Sequence, residues 1–180
     1  GGGVTVLVGS PLTVAFGITA FGNITATAPV TVAAGGSIAS SGTFAFNAGS
    51  SLTNNASVQN FGTMTLVAGA NFTNETGASF TNSGPLTVSS TLTNRGSFTN
   101  NGTIDALNGT VQTQGSFNNN QVLNTKSLTV SNGSSFTNDF GSVLSITGAS
   151  ATLQVDGNFT NNGTVNASGL MTVNGSFTNN

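Results

Sequence analysis

Apolar residues recur about every six positions along the whole of this chain. Val6, Leu12, Ile18, Ile24 and Val30 open the series, and Ile38, Phe44, Leu52, Val58, Met64, Phe72, Phe80, Leu86, Leu92, Phe98 and Ile104 continue it. Val111, Phe117, Val122, Leu128, Phe136, Val143, Leu153, Phe159, Val165, Met171 and Phe177 complete it, 27 anchors in all. A six-residue step does not match the 3.6-residue turn of a helix, but it suits two or three extended residues followed by a bend. The vocabulary between the anchors agrees. The β-branched Thr, Val and Ile suit strands, and Asn and Gly tolerate the conformations that tight corners demand.

Three steps make a coil of 18 to 20 residues, and the motif Phe-x-Asn marks the coil directly. Through the second half it recurs at Phe80, Phe98, Phe117, Phe136, Phe159 and Phe177, in steps of 18, 19, 19, 23 and 18 residues. A repeat of this length buries its apolar face by stacking on its neighbours. The sequence therefore predicts an all-β fold, a right-handed parallel β-solenoid of about nine triangular coils, continuous over residues 1–180. The hand follows from the general preference of parallel crossovers.

Taking every third anchor gives three columns. The FTN face holds Ile18, Ile38, Val58, Phe80, Phe98, Phe117, Phe136, Phe159 and Phe177. The face before it holds Leu12, Val30, Leu52, Phe72, Leu92, Val111, Leu128, Leu153 and Met171; we call it the Leu12 face. The face after it, the Val6 face, holds Val6, Ile24, Phe44, Met64, Leu86, Ile104, Val122, Val143 and Val165. The two-residue period of a strand turns the Asn of each FTN motif inward with its Phe. Asn82, Asn100, Asn119, Asn138, Asn161 and Asn179 are thus expected to stack at an inner corner and hydrogen-bond along the axis. Steps of eight residues at Val30 to Ile38, Phe44 to Leu52, Met64 to Phe72 and Phe72 to Phe80 all contain glycine. A loop is expected to leave the coil between Ser145 and Ala151.

Composition narrows the function classes. Only 3% of the residues are charged and the net charge is -2, so the chain has no electrostatic footprint for nucleic acid or an anionic membrane. No apolar run approaches the roughly 20 residues that span a bilayer. There is no His, Cys, Tyr or Trp. The charged residues are Glu75, Arg95, Asp105, Lys126, Asp139 and Asp156. Glu75 and Arg95 each follow a Leu12-face anchor by three residues, so they are expected to pair one coil apart. Asp156 falls on the same edge several coils away, too far for the paired carboxylates of polysaccharide-cleaving chemistry. No catalytic, cofactor-binding or metal-ligating residue is singled out, and the chain reads as a non-enzyme without a cofactor. Eleven Asn-x-Ser/Thr sequons occur, among them Asn71, Asn101, Asn108, Asn158, Asn162 and Asn174.

Two outward rows flank the Phe column. Ser79, Ser97, Ser116, Ser135, Asn158 and Ser176 form one, and Thr81, Thr99, Asn118, Thr137, Thr160 and Thr178 the other. Such small hydroxyl arrays resemble the threonine rows of ice-binding β-solenoids.

The runs GSFTNNGT (96–103), SSFTNDFGSVLSITG (134–148) and SGLMTVNGSFTN (168–179) resemble the repeats of bacterial surface β-helices. Filamentous-haemagglutinin-type adhesins and autotransporter passenger domains are the families concerned, and the likeness spans roughly residues 50–180. It implies an exported protein of the cell surface or biofilm acting as fibre, stalk or adhesin, with other cells or surface glycans as partners. The expected function is a structural filament or adhesin shaft; the alternative is a binding module using the flat Ser/Thr face for glycan or ice. Gly1 without a preceding Met suggests a processed or excerpted chain. Nine anchors per column, with no polar cap in GGGVTVLVG or GSFTNN, give a further expectation: the chain stacks head to tail on itself.

Overall fold

The computed structural model describes residues 6–20 and 22–180, with the backbone alone at Val6. The strand character expected of GGGVT lies outside the described residues. Within them the chain forms 25 strands and no helix. Most strands are three or four residues long and alternate between interior and surface. In Ser97–Asn100, for example, Phe98 and Asn100 are buried while Ser97 and Thr99 face outward. Alternation follows from the pleat, and the apolar anchors select which side goes in.

Each strand pairs in parallel with the equivalent strand one coil away, so the fold is the expected parallel β-solenoid of about nine coils. On the FTN face the register runs Ile18, Ile38, Val58, Phe80, Phe98, Phe117, Phe136, Phe159, Phe177 without a slip. These nine strands form one sheet. The Leu12 column is also as expected, from Leu12 and Val30 through Leu153 and Met171. The Leu12 and Val6 faces merge into a single 16-stranded sheet, because strands Thr103–Thr113 and Val122–Val130 continue round the corner between them.

The Val6 column needs one correction. Ile104 pairs with Leu123, Leu123 with Leu144, and Leu144 with Val165. Leu123 and Leu144 are buried, whereas Val122 and Val143 are half-buried on the outer side. Both positions offer two adjacent apolar residues, and a shift of one turns a strand over. Corner length decides between them. Six residues separate Phe117 from Leu123 and eight separate Phe136 from Leu144, and these are the two step lengths that recur elsewhere. The eight-residue steps share one device, a glycine with positive φ such as Gly35 (83°), Gly77 (81°) or Gly133 (77°). Only glycine takes that conformation without strain. The expected loop is narrower than the sequence indicated. Ser145 stays in the strand Val143–Ile146, and the excursion turns through Gly148 (φ 113°) and Ser150 (φ 59°).

Aromatic rings fill the interior of the later coils. From Phe98 through Phe117, Phe136 and Phe159 to Phe177, successive rings stack with centroids 4.4 to 5.1 Å apart. Phe80 adjoins Phe98 at 4.8 Å, and Phe72 of the Leu12 face packs against Phe80 at 4.7 Å. Beside them runs the amide ladder. Asn60 Nδ2 donates to Asn82 Oδ1 (2.8 Å), Asn82 to Asn100 (2.9 Å) and Asn100 to Asn119 (2.8 Å). Asn119 donates to Asn138 (2.8 Å), Asn138 to Asn161 (2.8 Å) and Asn161 to Asn179 (2.7 Å). The ladder thus starts one coil earlier than expected and keeps one polarity throughout. A second, shorter ladder occupies the Leu12 face: Asn54 to Asn74 (2.7 Å), Asn74 to Asn94 (2.9 Å) and Asn94 to Thr113 (3.3 Å).

The two ladders start differently. Asn54 Oδ1 accepts from the backbone N–H of Ala56 at 3.1 Å. Asn60 Oδ1 is buried without a partner, because Gly62 N–H goes to Ser40 O instead. Its register neighbour Ser40 also keeps a buried, unpartnered hydroxyl, too short to serve as the next rung. Ser40→Asn is therefore expected to extend the ladder by one donor. The gain of about 1 kcal/mol corresponds to roughly 2–4 °C in thermal midpoint for a chain of this size. An unchanged or lowered midpoint would show that Asn60 Oδ1 is satisfied in another way.

Candidate functional site

With the interior packed by apolar and amide side chains, any recognition falls to the outer faces and corners. The FTN face is a nine-stranded parallel sheet whose outward positions carry no charge. Its Ser row runs unbroken through Ser37, Ser57, Ser79, Ser97, Ser116 and Ser135. The expected Thr row is aligned coil to coil as well, with Asn118 as its interruption between Thr99 and Thr137. The structure also reveals a row that the sequence reading passed over. On the Leu12 face, Thr13, Thr31, Thr53, Thr73 and Thr93 stand in register on five successive coils. Its signal was available, since each is the residue directly after an anchor.

All six charged side chains lie off the FTN face. Asp105 is on the Val6 face, Lys126 where the strand Val122–Val130 turns, and Asp139 directly after the FTN strand Ser135–Asn138. Glu75, Arg95 and Asp156 each follow a strand of the Leu12 face. Glu75 and Arg95 pair as expected: Arg95 Nη1 donates to Glu75 Oε1 and Oε2 at 3.0 and 3.1 Å, and Arg95 Nε to Gln114 Oε1 at 3.1 Å. Both side chains remain partly exposed, so the pair contributes about 0–1 kcal/mol. It is an edge staple between adjacent coils.

Asp156 sits apart from them in a shallow polar groove on the same edge, with Asn132, Asn158 and Asn174. Its Oδ1 accepts from Gln154 Nε2 (2.6 Å) and Asn174 Nδ2 (2.8 Å). Amide donors on both sides hold the carboxylate in place, and no second acid lines the groove. Among the described residues no three acidic, His or Cys side chains gather where they could hold a metal ion. No helix among them is long and apolar enough to cross a membrane. The sequons divide by burial: Asn71, Asn101, Asn108, Asn158 and Asn174 are exposed, whereas Asn74 of Asn-Glu-Thr is fully buried in the second ladder.

In the coil of Val165, Met171 and Phe177, Met171 and Val173 are each 41% exposed and Val165 and Phe177 half-buried. Compared with protein-family models, curated proteins and solved structures, the chain matches none. Its function is therefore read from the geometry.

Proposed function

We propose that this chain is a structural shaft, part of an extracellular surface filament or adhesin, and that it performs no catalysis. The observation behind the reading is the register. All three columns run from coil to coil, and the interior of the later coils is locked by stacked rings and a one-way chain of amides. Such stacking gives length and stiffness along one axis and leaves the FTN face without charge. The bacterial surface β-helices that the FTN runs resemble support an exported setting.

Extension past the coil of Phe177 follows the same geometry, whether the next coil belongs to a longer chain or to a second copy. In a self-joint Phe177 would lie over Ile18 and Met171 over Leu12, apolar on apolar. Asn179 would lie over Ala20, and its amide would need a backbone carbonyl, as Asn161 Nδ2 uses Gly163 O at 3.0 Å. Nine coils at about 4.8 Å each give a rise of roughly 43 Å per copy. Electron micrographs of the purified protein, taken over a wide concentration range, are expected to show rods or filaments with that axial repeat. Single compact particles at every concentration, with monodisperse light scattering, would remove self-stacking from the reading.

A second reading rests on the uncharged hydroxyl sheet of the FTN face, which would serve as a binding surface for glycan or ice. Glycan arrays and thermal hysteresis measure it directly. Strong signal in either, lost when Thr99 and Thr137 are replaced by lysine, would favour this reading over the shaft.

A further inference from the structure

Five Asn-Gly pairs occur, at Asn101, Asn108, Asn132, Asn162 and Asn174. In such a pair the glycine nitrogen can reach the side-chain carbonyl carbon of the asparagine unhindered, provided the backbone is free to bring them together. The fold withholds that freedom from four of the five. A Cβ on Gly102 would strike the carbonyl of Gly84, one on Gly109 that of Ser90, and one on Gly175 that of Gly157. Gly163 is backed in the same way against the carbonyls of Asp139 and Ser142. Three of these glycine nitrogens are also engaged. Gly102 N–H donates to Asn100 Oδ1 (3.3 Å), Gly163 N–H to Asn161 Oδ1 (3.3 Å) and Gly175 N–H to Val155 O (3.0 Å).

Asn132–Gly133 differs in the open space around its glycine. It forms the tip of a turn from Ser131 to Ser134, closed by Ser134 N–H donating to Ser131 O at 3.1 Å. Both tip residues are exposed, and nothing stands within 4 Å of a Cβ built on Gly133. Among the described residues neither the Gly133 N–H nor the Asn132 amide has a protein hydrogen-bond partner, and both residues line the groove that holds Asp156.

We propose that Asn132 is a spontaneous modification site, the one position where the folded shaft converts an amide to an acid. The Gly133 nitrogen, having lost its proton to solvent base, attacks Asn132 Cγ. The new C–N bond closes a five-membered succinimide as the side-chain nitrogen leaves as ammonia. Water then opens the ring at either carbonyl, giving aspartate or isoaspartate. The balance is one amide and one water in, one carboxylate and one ammonium out, with no change of oxidation state. Conversion takes the net charge from the present -2 to about -3 at neutral pH. The new carboxylate joins the groove that already holds Asp156. Age is thereby written as negative charge on one edge of a molecule that carries very little charge.

The test is to hold the native protein in warm, mildly alkaline buffer, with a parallel sample in concentrated urea, and to follow each Asn by peptide mass mapping. A gain of 1 Da at Asn132, about tenfold or more ahead of the other four pairs, is expected in the native sample. In urea the five rates should converge. Comparable rates at all five in the native protein, or an unchanged Asn132 in the native protein while the urea sample converts, would overturn the proposal. Either result bears on the turn alone and leaves the shaft reading intact.

Discussion

Replacing Phe117 by alanine is expected to cost about 3–5 kcal/mol, the range for truncating a buried Phe. For a chain of this length that is a fall of roughly 6–20 °C in thermal midpoint. Phe117 has no exposed surface and stacks between Phe98, 4.4 Å away and nearly parallel at 7°, and Phe136, at 5.1 Å and 22°. Truncation therefore removes ring contacts on both sides, and the neighbours cannot close the gap because the sheet ladder fixes the spacing between coils. Phe140→Ala supplies the comparison. That ring is 92% exposed at a corner, and its loss should change stability by no more than about 0.5 kcal/mol. Equal shifts for the two variants would show that the inner stack does not carry the fold.

The contrast between these two phenylalanines also shows how much the sequence disclosed. Phe followed by Thr or Asn turns inward at Phe46, Phe72, Phe80, Phe98, Phe117, Phe136, Phe159 and Phe177, while Phe followed by Gly stands outside at Phe16, Phe61 and Phe140. Column membership was legible wherever one apolar residue stood alone between polar ones, as Phe98 does. It failed at Val122 and Val143, where a second apolar residue follows and hydrophobicity alone cannot select the inward one. The second amide ladder was harder to see for a related reason. Two residues after the anchors, the Leu12 face reads Val32, Asn54, Asn74, Asn94, Thr113 and Val130. Amides there span three coils, too few to announce a repeat, whereas the FTN column carries them through seven. The surface was least legible. Ser and Thr serve an idle solvated strand as well as a working one, so the rows could be placed but not given a task.

Asn100→Leu is expected to cost about 2–6 kcal/mol although leucine is similar in size and more apolar, because it leaves two polar groups stranded at about 1–3 kcal/mol each. Asn100 is fully buried. Its Nδ2 donates to Asn119 Oδ1 (2.8 Å) and Val122 O (2.9 Å), and its Oδ1 accepts from Asn82 Nδ2 (2.9 Å) and Gly102 N–H (3.3 Å). Asn82 keeps a bond to Gly84 O at 2.8 Å, but Asn119 Oδ1 and Gly102 N–H lose the partners they have. Asn100→Asp separates hydrogen bonding from packing. An ionised carboxylate still accepts from Asn82 and Gly102, yet it turns an oxygen toward Asn119 Oδ1 and Val122 O, where a donor is required. Burial and the two facing oxygens both favour the protonated acid, so its pKa in the fold should lie above the unfolded value near about 3.9. A raised folded pKa means stability that is full below the unfolded pKa and is lost as pH rises through the folded one. The aspartate variant should therefore be most stable in acid, where its O–H can donate to Asn119 Oδ1, and weaken toward neutrality. The leucine variant should show no such dependence relative to the parent chain. If both variants melt alike at every pH, the amides act as filler and the one-way ladder contributes nothing to the fold.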